Sequence, residues 1–278
     1  MIYSTEVTKY NHDNEEWLNR FDELIINESG DGTVFEFMKK FFHYRFVIKL
    51  DNIQQFLDNN TINSYVNFIK ENPGARIKFC FYRESEYGSQ LTHMMIHNRI
   101  KFFYADYIRS WDVLKGYHSE GVSDVYIVEE MCFDLPAVRQ VVGEKVHIRV
   151  IPHIAQSTWY QTPAMKKFFI RPDDVDEYAK YVDVFEFKNI QNPKAAVTMA
   201  KIYQDKGWAG KLSEIISDFN IDIDNRDILP MFATFRIGCG RRCAKTKGGC
   251  NLCMQFAKVA KTIEDKGLLN DKYHEFSD

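Results

Sequence analysis

Long hydrophobic runs are absent from this 278-residue sequence. No stretch approaches the roughly 18 to 20 apolar residues that a membrane-spanning helix requires. The first residues, MIYSTEVTKYNHDNEEW, also lack the basic and apolar regions of a secretion signal. We therefore expect a cytoplasmic protein that has no membrane segment.

A surplus of positive charge is absent as well. The 36 lysines and arginines against 39 acidic residues give a formal net charge of −3, so the chain as a whole offers no basic field that would hold nucleic acid. Several catalytic signatures are also missing, among them G-x-S-x-G, the Walker loop, H-E-x-x-H and the kinase motifs. The reaction classes that depend on these signatures are therefore excluded.

No glycine-rich phosphate turn follows the first two predicted strands, although doubly wound open sheets usually carry one. Short β-rich runs instead alternate with amphipathic helical patterns, which predicts βα units and a parallel sheet. The sequence favours an α/β fold of the (β/α)8-type, a TIM-like barrel that can be incomplete or irregular, over the doubly wound sheet. The predicted strands are 45–51, 76–82, 101–107, 123–129, 145–152, 168–172 and 182–188, with 231–237 as a candidate eighth.

Three regions follow from this pattern. Residues 1–44, a polar lead-in followed by the helical pattern FEFMKKFF, are predicted to form an N-terminal capping segment. Residues 45–237 form the barrel-like domain. Residues 238–278 are predicted to hold a four-cysteine metal knuckle and a C-terminal helix.

Four of the six cysteines crowd together near the end of the chain, as Cys239, Cys243, Cys250 and Cys253. Their C-x3-C-x6-C-x2-C spacing lets two close pairs converge on one tetrahedral ion. Such crowding favours metal in a reducing compartment over disulfide bonds. We expect Zn²⁺, because the pairing resembles a small zinc knuckle. A [4Fe–4S] cluster is the alternative, although the spacing matches neither bacterial nor plant ferredoxins.

Polar and ionisable residues end nearly every predicted strand, at the mouth where barrel enzymes place their active sites. His153 is the candidate acid or base, because an imidazole titrates near neutral pH. Arg171 could clamp an anionic substrate group in a bidentate manner. Asp106, Glu129 and Glu186 are expected to position the substrate or a cation. The alternatives are a loop role for His153 and an ion pair of Arg171 with Asp106 or Glu186.

The glycine-stopped helix and buried strand in HSEGVSDVYIV, in a chain of βα units that ends in four cysteines, resemble the collagenase-like peptidase family. The resemblance is architectural and covers residues 45–260. It implies a barrel-like domain, and several members of that family use iron–sulfur clusters to hydroxylate RNA or quinone precursors. That family spreads its cysteines more widely than this chain does, which puts its cluster and its chemistry in doubt here.

Two other stretches, FFIRPDDVDEYAKYVDVFEF and CGRRC…CNLC, resemble an uncharacterised family found in bacteriophages and prophages. That resemblance implies a phage-encoded protein whose activity is not known.

Three functions compete at this point. The first is a metal-containing barrel enzyme that acts on a small polar or anionic substrate at the mouth. The second is a non-catalytic phage structural protein or a binder of a host factor. The third is a nucleic-acid binder that contacts phosphate through Arg241, Arg242, Lys245 and Lys247 in the cysteine loop. The oligomeric state does not follow from the sequence.

Overall fold

The computed structural model describes residues 1–7, 15–28, 32–58, 61–127, 129–154, 156–157, 167–188, 190, 193–217, 223–228, 233 and 237. The predicted metal site at Cys239, Cys243, Cys250 and Cys253 lies outside the described residues, as does the predicted C-terminal helix. Among the described residues, no helix combines the length and apolar character needed to cross a bilayer.

A parallel sheet forms the centre of the molecule, and all of its strand pairings are parallel. Its strands run in the order β5-β4-β3-β2-β1-β11-β8-β7-β6. They are β1 (Ile2–Val7), β2 (Glu23–Asn27), β3 (Arg45–Lys49), β4 (Arg76–Phe81), β5 (Phe102–Tyr104), β6 (Tyr107–Ile108), β7 (Asp124–Ile127), β8 (His147–Val150) and β11 (Val184–Phe187). A separate antiparallel pair joins β9 (Gln156–Ser157) to β10 (Lys167–Phe168).

The sheet closes on itself through one segment of the chain. Segments β5 and β6 are separated only by Ala105 and Asp106, and β5 pairs with β4 while β6 pairs with β7. The nine segments therefore make eight strands in a ring. Each strand lies beside its neighbour in sequence, and the last, β11, pairs with the first, β1. This strand order is that of a (β/α)8 TIM-type barrel, which confirms the predicted fold class.

Helices follow the strands and cover the outside of the barrel. Phe46 of β3 packs against Phe37, with ring centroids 6.4 Å apart, and Phe79 of β4 packs against Tyr65 at 4.9 Å. The helices are α1 (Glu15–Leu18), α2 (Thr33–Lys40), α3 (Ile53–Asp58), α4 (Thr61–Glu71), α5 (Gly88–His97), α6 (Trp111–Ser119), α7 (Leu135–Val142), α8 (Val175–Tyr178) and α9 (Pro193–Gln204). Short 3₁₀ turns lie at Glu129–Asp134, Pro172–Asp174, Leu212–Glu214 and Asn225–Asp227.

The structure corrects the predicted position of the barrel's beginning and end. Residues 1–44 are not a capping segment, because they contribute the barrel strands β1 and β2. The predicted strand 168–172 is wrong as well, since only Phe168 of that segment pairs, and it pairs outside the barrel. Of the candidate eighth strand 231–237 only Ala233 and Ile237 are described, and both have helical backbone. The ring already has eight strands without this segment.

Candidate active site

An open cleft of about 1000 Å³ lies at the carboxyl ends of the barrel strands. Side chains from β1, β3, β4, β6 and the end of β11 reach into it, so its position is the one that barrel enzymes use for their active sites. Its lining includes Glu6, Lys49, Tyr82, Asp106, Tyr107, Glu186 and Lys188.

Two lysines in the cleft are paired only loosely with their carboxylates. Lys49 Nζ lies 3.5 Å from Glu6 Oε1 and 3.6 Å from Asp51 Oδ1. Lys188 Nζ lies 3.7 Å from Glu186 Oε1. These separations exceed the usual length of a charge-assisted hydrogen bond, roughly 2.7 to 2.9 Å. Both ammonium groups therefore keep hydrogen-bonding capacity for another anion.

Both lysines stay protonated at neutral pH. Burial disfavours the charge of Lys49, but the carboxylates of Glu6 and Asp51 outweigh burial and raise its pKa. Burial acts in the same way on Lys188, and Glu186 followed by Tyr107 more than compensates, so its pKa is raised too. Lysines with raised pKa values are poor nucleophiles, because the amine must lose its proton before it can attack. Their chemistry here is that of fixed positive charges.

The carboxylate of Glu186 is held by two residues of the barrel interior. Its Oε2 accepts a hydrogen bond from the hydroxyl of Tyr126 and lies 2.9 Å from Arg149 Nη2. Burial, followed by the charge of Glu186, raises the pKa of Tyr126 well above its ordinary value, so the phenol stays a hydrogen-bond donor. Oε1 is the oxygen that faces Lys188. The Lys188 ammonium also lies 4.7 Å from the ring centroid of Tyr107.

Beneath the cleft the barrel is filled by an ionic network. Arg149, fully buried, lies 2.8 Å from Glu23 and 3.0 Å from Asp124 in addition to Glu186. Lys78 Nζ lies 2.7 Å from Asp124 and 3.3 Å from Glu23. Burial opposes the ionisation of Asp124, but Lys78, His147 and Arg149 outweigh it, and its pKa is lowered far below the ordinary value. The interior therefore holds alternating charges where barrels usually hold branched apolar side chains.

Another wall of the cleft is formed by the loop after β4 and by α6. Arg83 Nη2 lies 2.6 Å from Glu120 Oε1, so this guanidinium is already engaged. The backbone amide of Arg83 donates to Asp106 Oδ2 at 2.8 Å. This bond joins the loop after β4 to the break between β5 and β6. Asp106 therefore lines the cleft and also holds the loop after β4 in position.

Of the five predicted catalytic residues, Asp106 and Glu186 line the cleft. His153 does not. Its ring is 2% exposed, stacks on Phe187 and has Nε2 3.0 Å from the carbonyl oxygen of Lys188. Burial lowers the pKa of His153 to about 4, so the imidazole is neutral. It supports the segment that carries Lys188 rather than reaching a substrate.

Arg171 is not available as an anion clamp. Its guanidinium makes two hydrogen bonds of 2.7 Å with the carboxylate of Asp174, and it is 2% exposed. Arg171 does form an ion pair, as the alternative prediction had it, but its partner is Asp174 and not Asp106 or Glu186. The side chain of Glu129 lies outside the described residues.

Sequence reasoning did not single out Lys49, and it counted Lys188 among the strand-end residues without giving it a role. Lys49 ends a correctly predicted strand, and Lys188 follows another. The signal was available, because both positions continue the inward-facing alternation of their strands. Glu6 could not be found while the segment before residue 45 was interpreted as a cap. Within the described residues, no group of three histidine, cysteine or acidic side chains is arranged to hold a metal ion.

No protein-family model matches the chain, and no curated protein matches it. Several solved structures are similar. Tryptophan synthase from M. tuberculosis, in an open form, aligns with TM-score 0.46 and 8% identity over 74% of this chain and 89% of that chain. A mutant tryptophan synthase alpha-subunit from Pyrococcus furiosus aligns with TM-score 0.46 and 11% identity over 74% and 91%.

Orotidine 5'-phosphate decarboxylase from Thermotoga maritima aligns with TM-score 0.40 and 12% identity, over 72% of this chain and 98% of that chain. At such identities and scores these likenesses carry nothing about activity. The barrel fold of this chain rests on its own strand order.

Proposed function

We propose that this protein is an enzyme that acts on a small anionic substrate at the barrel mouth. The observation that carries the proposal is the pair of loosely held lysines, Lys49 and Lys188, in one cleft. The ion pairs beneath them are shorter, with Lys78 2.7 Å from Asp124 and Arg149 2.9 Å from Glu186. Lys78 and Arg149 in the barrel interior thus make close ion pairs, whereas Lys49 and Lys188 at the mouth do not.

The proposed chemistry is charge stabilisation at a partly desolvated site. Lys188 has a side chain that is only 20% exposed, so its charge acts on a bound anion more strongly than it would in water. Glu186 keeps the ammonium protonated and fixes its direction. Glu6 and Asp106 offer carboxylates in the same cleft that could accept a proton from a bound substrate. His153 and Arg171 have no part in this proposal.

Calorimetric titration with inorganic phosphate tests the proposal. Lys188→Ala and Lys49→Ala should each weaken binding roughly tenfold or more, since a hydrogen bond to a charged group contributes about 1.5 to 3 kcal/mol. Lys70→Ala is the matched control, because Lys70 is an exposed lysine of α4 that does not line the cleft. Equal affinity in all four proteins would contradict the proposal.

We also propose Zn²⁺ as the cofactor, bound by Cys239, Cys243, Cys250 and Cys253. The support for it is the spacing of these four residues in the sequence. A [4Fe–4S] cluster stays the alternative. The phage origin and the cytoplasmic location stay predictions from the sequence.

A further inference from the structure

Exposed apolar side chains gather on one wall of the cleft. Tyr82 is 50% exposed, Tyr107 36% and Val113 41%, and all three line it. Trp111, 37% exposed, begins α6 between two residues that line the cleft. In the part of the chain that the structure describes, seven large apolar side chains are exposed, so four of the seven lie here. Apolar surface concentrated in this way marks a binding site.

Tyr82 lies in a loop whose backbone is held by hydrogen bonds. Ser85 Oγ donates to the carbonyl oxygen of Tyr82 at 2.8 Å, and the amide of Gly88 donates to the carbonyl oxygen of Ser85 at 3.0 Å. These hydrogen bonds hold the backbone of Tyr82, and half of the residue's surface stays exposed. A tyrosine side chain on a held backbone has only two side-chain torsions to fix, so it loses little conformational freedom when a ligand covers its ring.

Each of the two exposed tyrosines that line the cleft, Tyr82 and Tyr107, lies beside one of the two lysines. Lys188 Nζ is 4.7 Å from the ring centroid of Tyr107. Burial lowers the pKa of Lys49, but Glu6, Asp51 and then Tyr82 raise it, so Tyr82 lies near this lysine. A ligand that covers a ring here has an ammonium group within reach of its other end.

The cleft is larger than phosphate alone would fill. Its volume of about 1000 Å³ is at the upper end of the range of pockets for drug-sized ligands, roughly 300 to 1000 Å³. We infer that the ligand of this cleft is an anion that carries a planar ring, with the ring against Tyr82 and the anionic group at Lys49 and Lys188. This inference rests on the proposed function, since the same lysines bind the anionic group.

Two matched pairs of ligands test the inference by calorimetry. Adenosine monophosphate and ribose 5-phosphate differ in the planar base, and benzoate and cyclohexanecarboxylate differ in the planarity of the ring. We expect the planar member of at least one pair to bind roughly tenfold or more tightly, because a stacked base contributes a factor of this size. The pair that shows the difference identifies the anionic group as phosphate or carboxylate.

Substitutions at Tyr82 assign the preference to its ring. Tyr82→Ala should abolish it, and Tyr82→Phe should keep it, because phenylalanine restores the ring without the hydroxyl. Phe42→Ala removes an exposed aromatic side chain that does not line the cleft, and it should leave the preference unchanged.

The failures of the two proposals are distinguishable. If both members of each pair bind equally and Lys188→Ala still weakens them, the inference of a planar ring is overturned while the anion site stands. A preference that survives Tyr82→Ala overturns the placement of the ring. Absence of binding by all four compounds overturns the proposed function, and this inference with it.

Discussion

Arg149 lies at the centre of the barrel with three carboxylates around it, and no part of its side chain reaches solvent. Removing one partner from such a buried cluster leaves uncompensated charge in a medium of low polarity, which is far more costly than losing an ion pair at the surface. The same cluster fixes Glu186, and through it Lys188. Stability and the charge of the cleft therefore depend on one residue.

We predict that Arg149→Met lowers the free energy of unfolding by about 3 to 5 kcal/mol. Arg149→Lys should lower it less, since it keeps the charge but loses the planar fork. Arg83→Met, which breaks the partly exposed pair with Glu120, should cost about 1 kcal/mol or less. Urea unfolding measures all three. Similar losses for Arg149→Met and Arg83→Met would contradict the dominant role of the buried cluster.

The buried imidazole of His153 makes stability depend on pH. Burial lowers the pKa of His153 from 6.5 to about 4 in the folded protein, whereas the unfolded chain takes up the proton near the ordinary value. Protonation between these two values therefore favours unfolding. The contribution of the neutral His153 to the free energy of unfolding is complete above about pH 6.5. It is lost as the pH falls towards 4.

The corresponding test compares the protein with His153→Gln, which cannot titrate. The difference in unfolding free energy between the two should shrink by about 3 kcal/mol at most from pH 7 to pH 4. His97→Gln removes an exposed histidine of α5 and should leave the slope unchanged. A slope that His153→Gln does not alter would show that this imidazole titrates normally.

Single residues were harder to assign from the sequence than strands. His153 and Arg171 are chemically suitable for catalysis, and only the three-dimensional contacts with the Lys188 carbonyl and with Asp174 show that both are engaged elsewhere. Asp106 and Glu186 line the cleft, because each ends a predicted strand that does belong to the barrel.

At the scale of elements, six predicted strand regions lie in the ring, and two strands were missed. Strand β1 carries Ser4 and Glu6 on its inward face, because the interior of this barrel is polar. Because these polar residues alternate along β1, the segment was interpreted as a polar lead-in and not as a barrel strand. The apolar run before Pro172 was predicted as a strand, yet it lies buried without pairing in the ring. The apolar residues of a segment predict that it is buried. Whether the segment forms a strand depends also on a neighbouring strand with which its backbone can pair.

The loop after β4 is held by the close approach of Gly88. A Cβ at this position would overlap the carbonyl oxygen of Arg83 and lie 2.9 Å from that of Tyr82. Gly88→Ala should therefore displace the loop, lower the free energy of unfolding by roughly 1 to 3 kcal/mol and weaken ligand binding at Tyr82.

Gly116→Ala is the control for this loop, because it adds a methyl group within α6 where nothing lies within 4 Å. It should stabilise the protein by roughly 0.5 to 1 kcal/mol, as alanine favours the helix. Thermal unfolding distinguishes the two variants. A neutral Gly88→Ala would show that the loop moves at little cost.

At the scale of the whole molecule, the βα rhythm of the sequence was sufficient to predict a closed parallel barrel. The ionic interior was not predictable, because it is formed by residues from β2, β4, β7, β8 and β11 that are far apart in the chain. The same holds for the cleft, because Lys49 at the end of β3 and Lys188 after β11 are far apart in the chain. The four cysteines form a local pattern, so their prediction does not depend on the barrel.

Metal content tests the cysteine prediction. Protein purified without oxygen should contain about one zinc per chain and show no visible absorption band. Cys250→Ser with Cys253→Ser should lose the metal, and Cys132→Ala, a buried cysteine outside the cluster, should keep it. About four irons per chain with a visible band would instead establish the iron–sulfur alternative.

The most direct test of the central claim is a crystal structure of the protein with adenosine monophosphate or inorganic phosphate at saturating concentration. We predict that the phosphate lies in the mouth cleft within hydrogen-bonding distance of Lys188 Nζ, on the side that faces Lys49. A phosphate bound elsewhere, with both lysines still directed only at Glu186 and Glu6, would contradict an anion site at the barrel mouth.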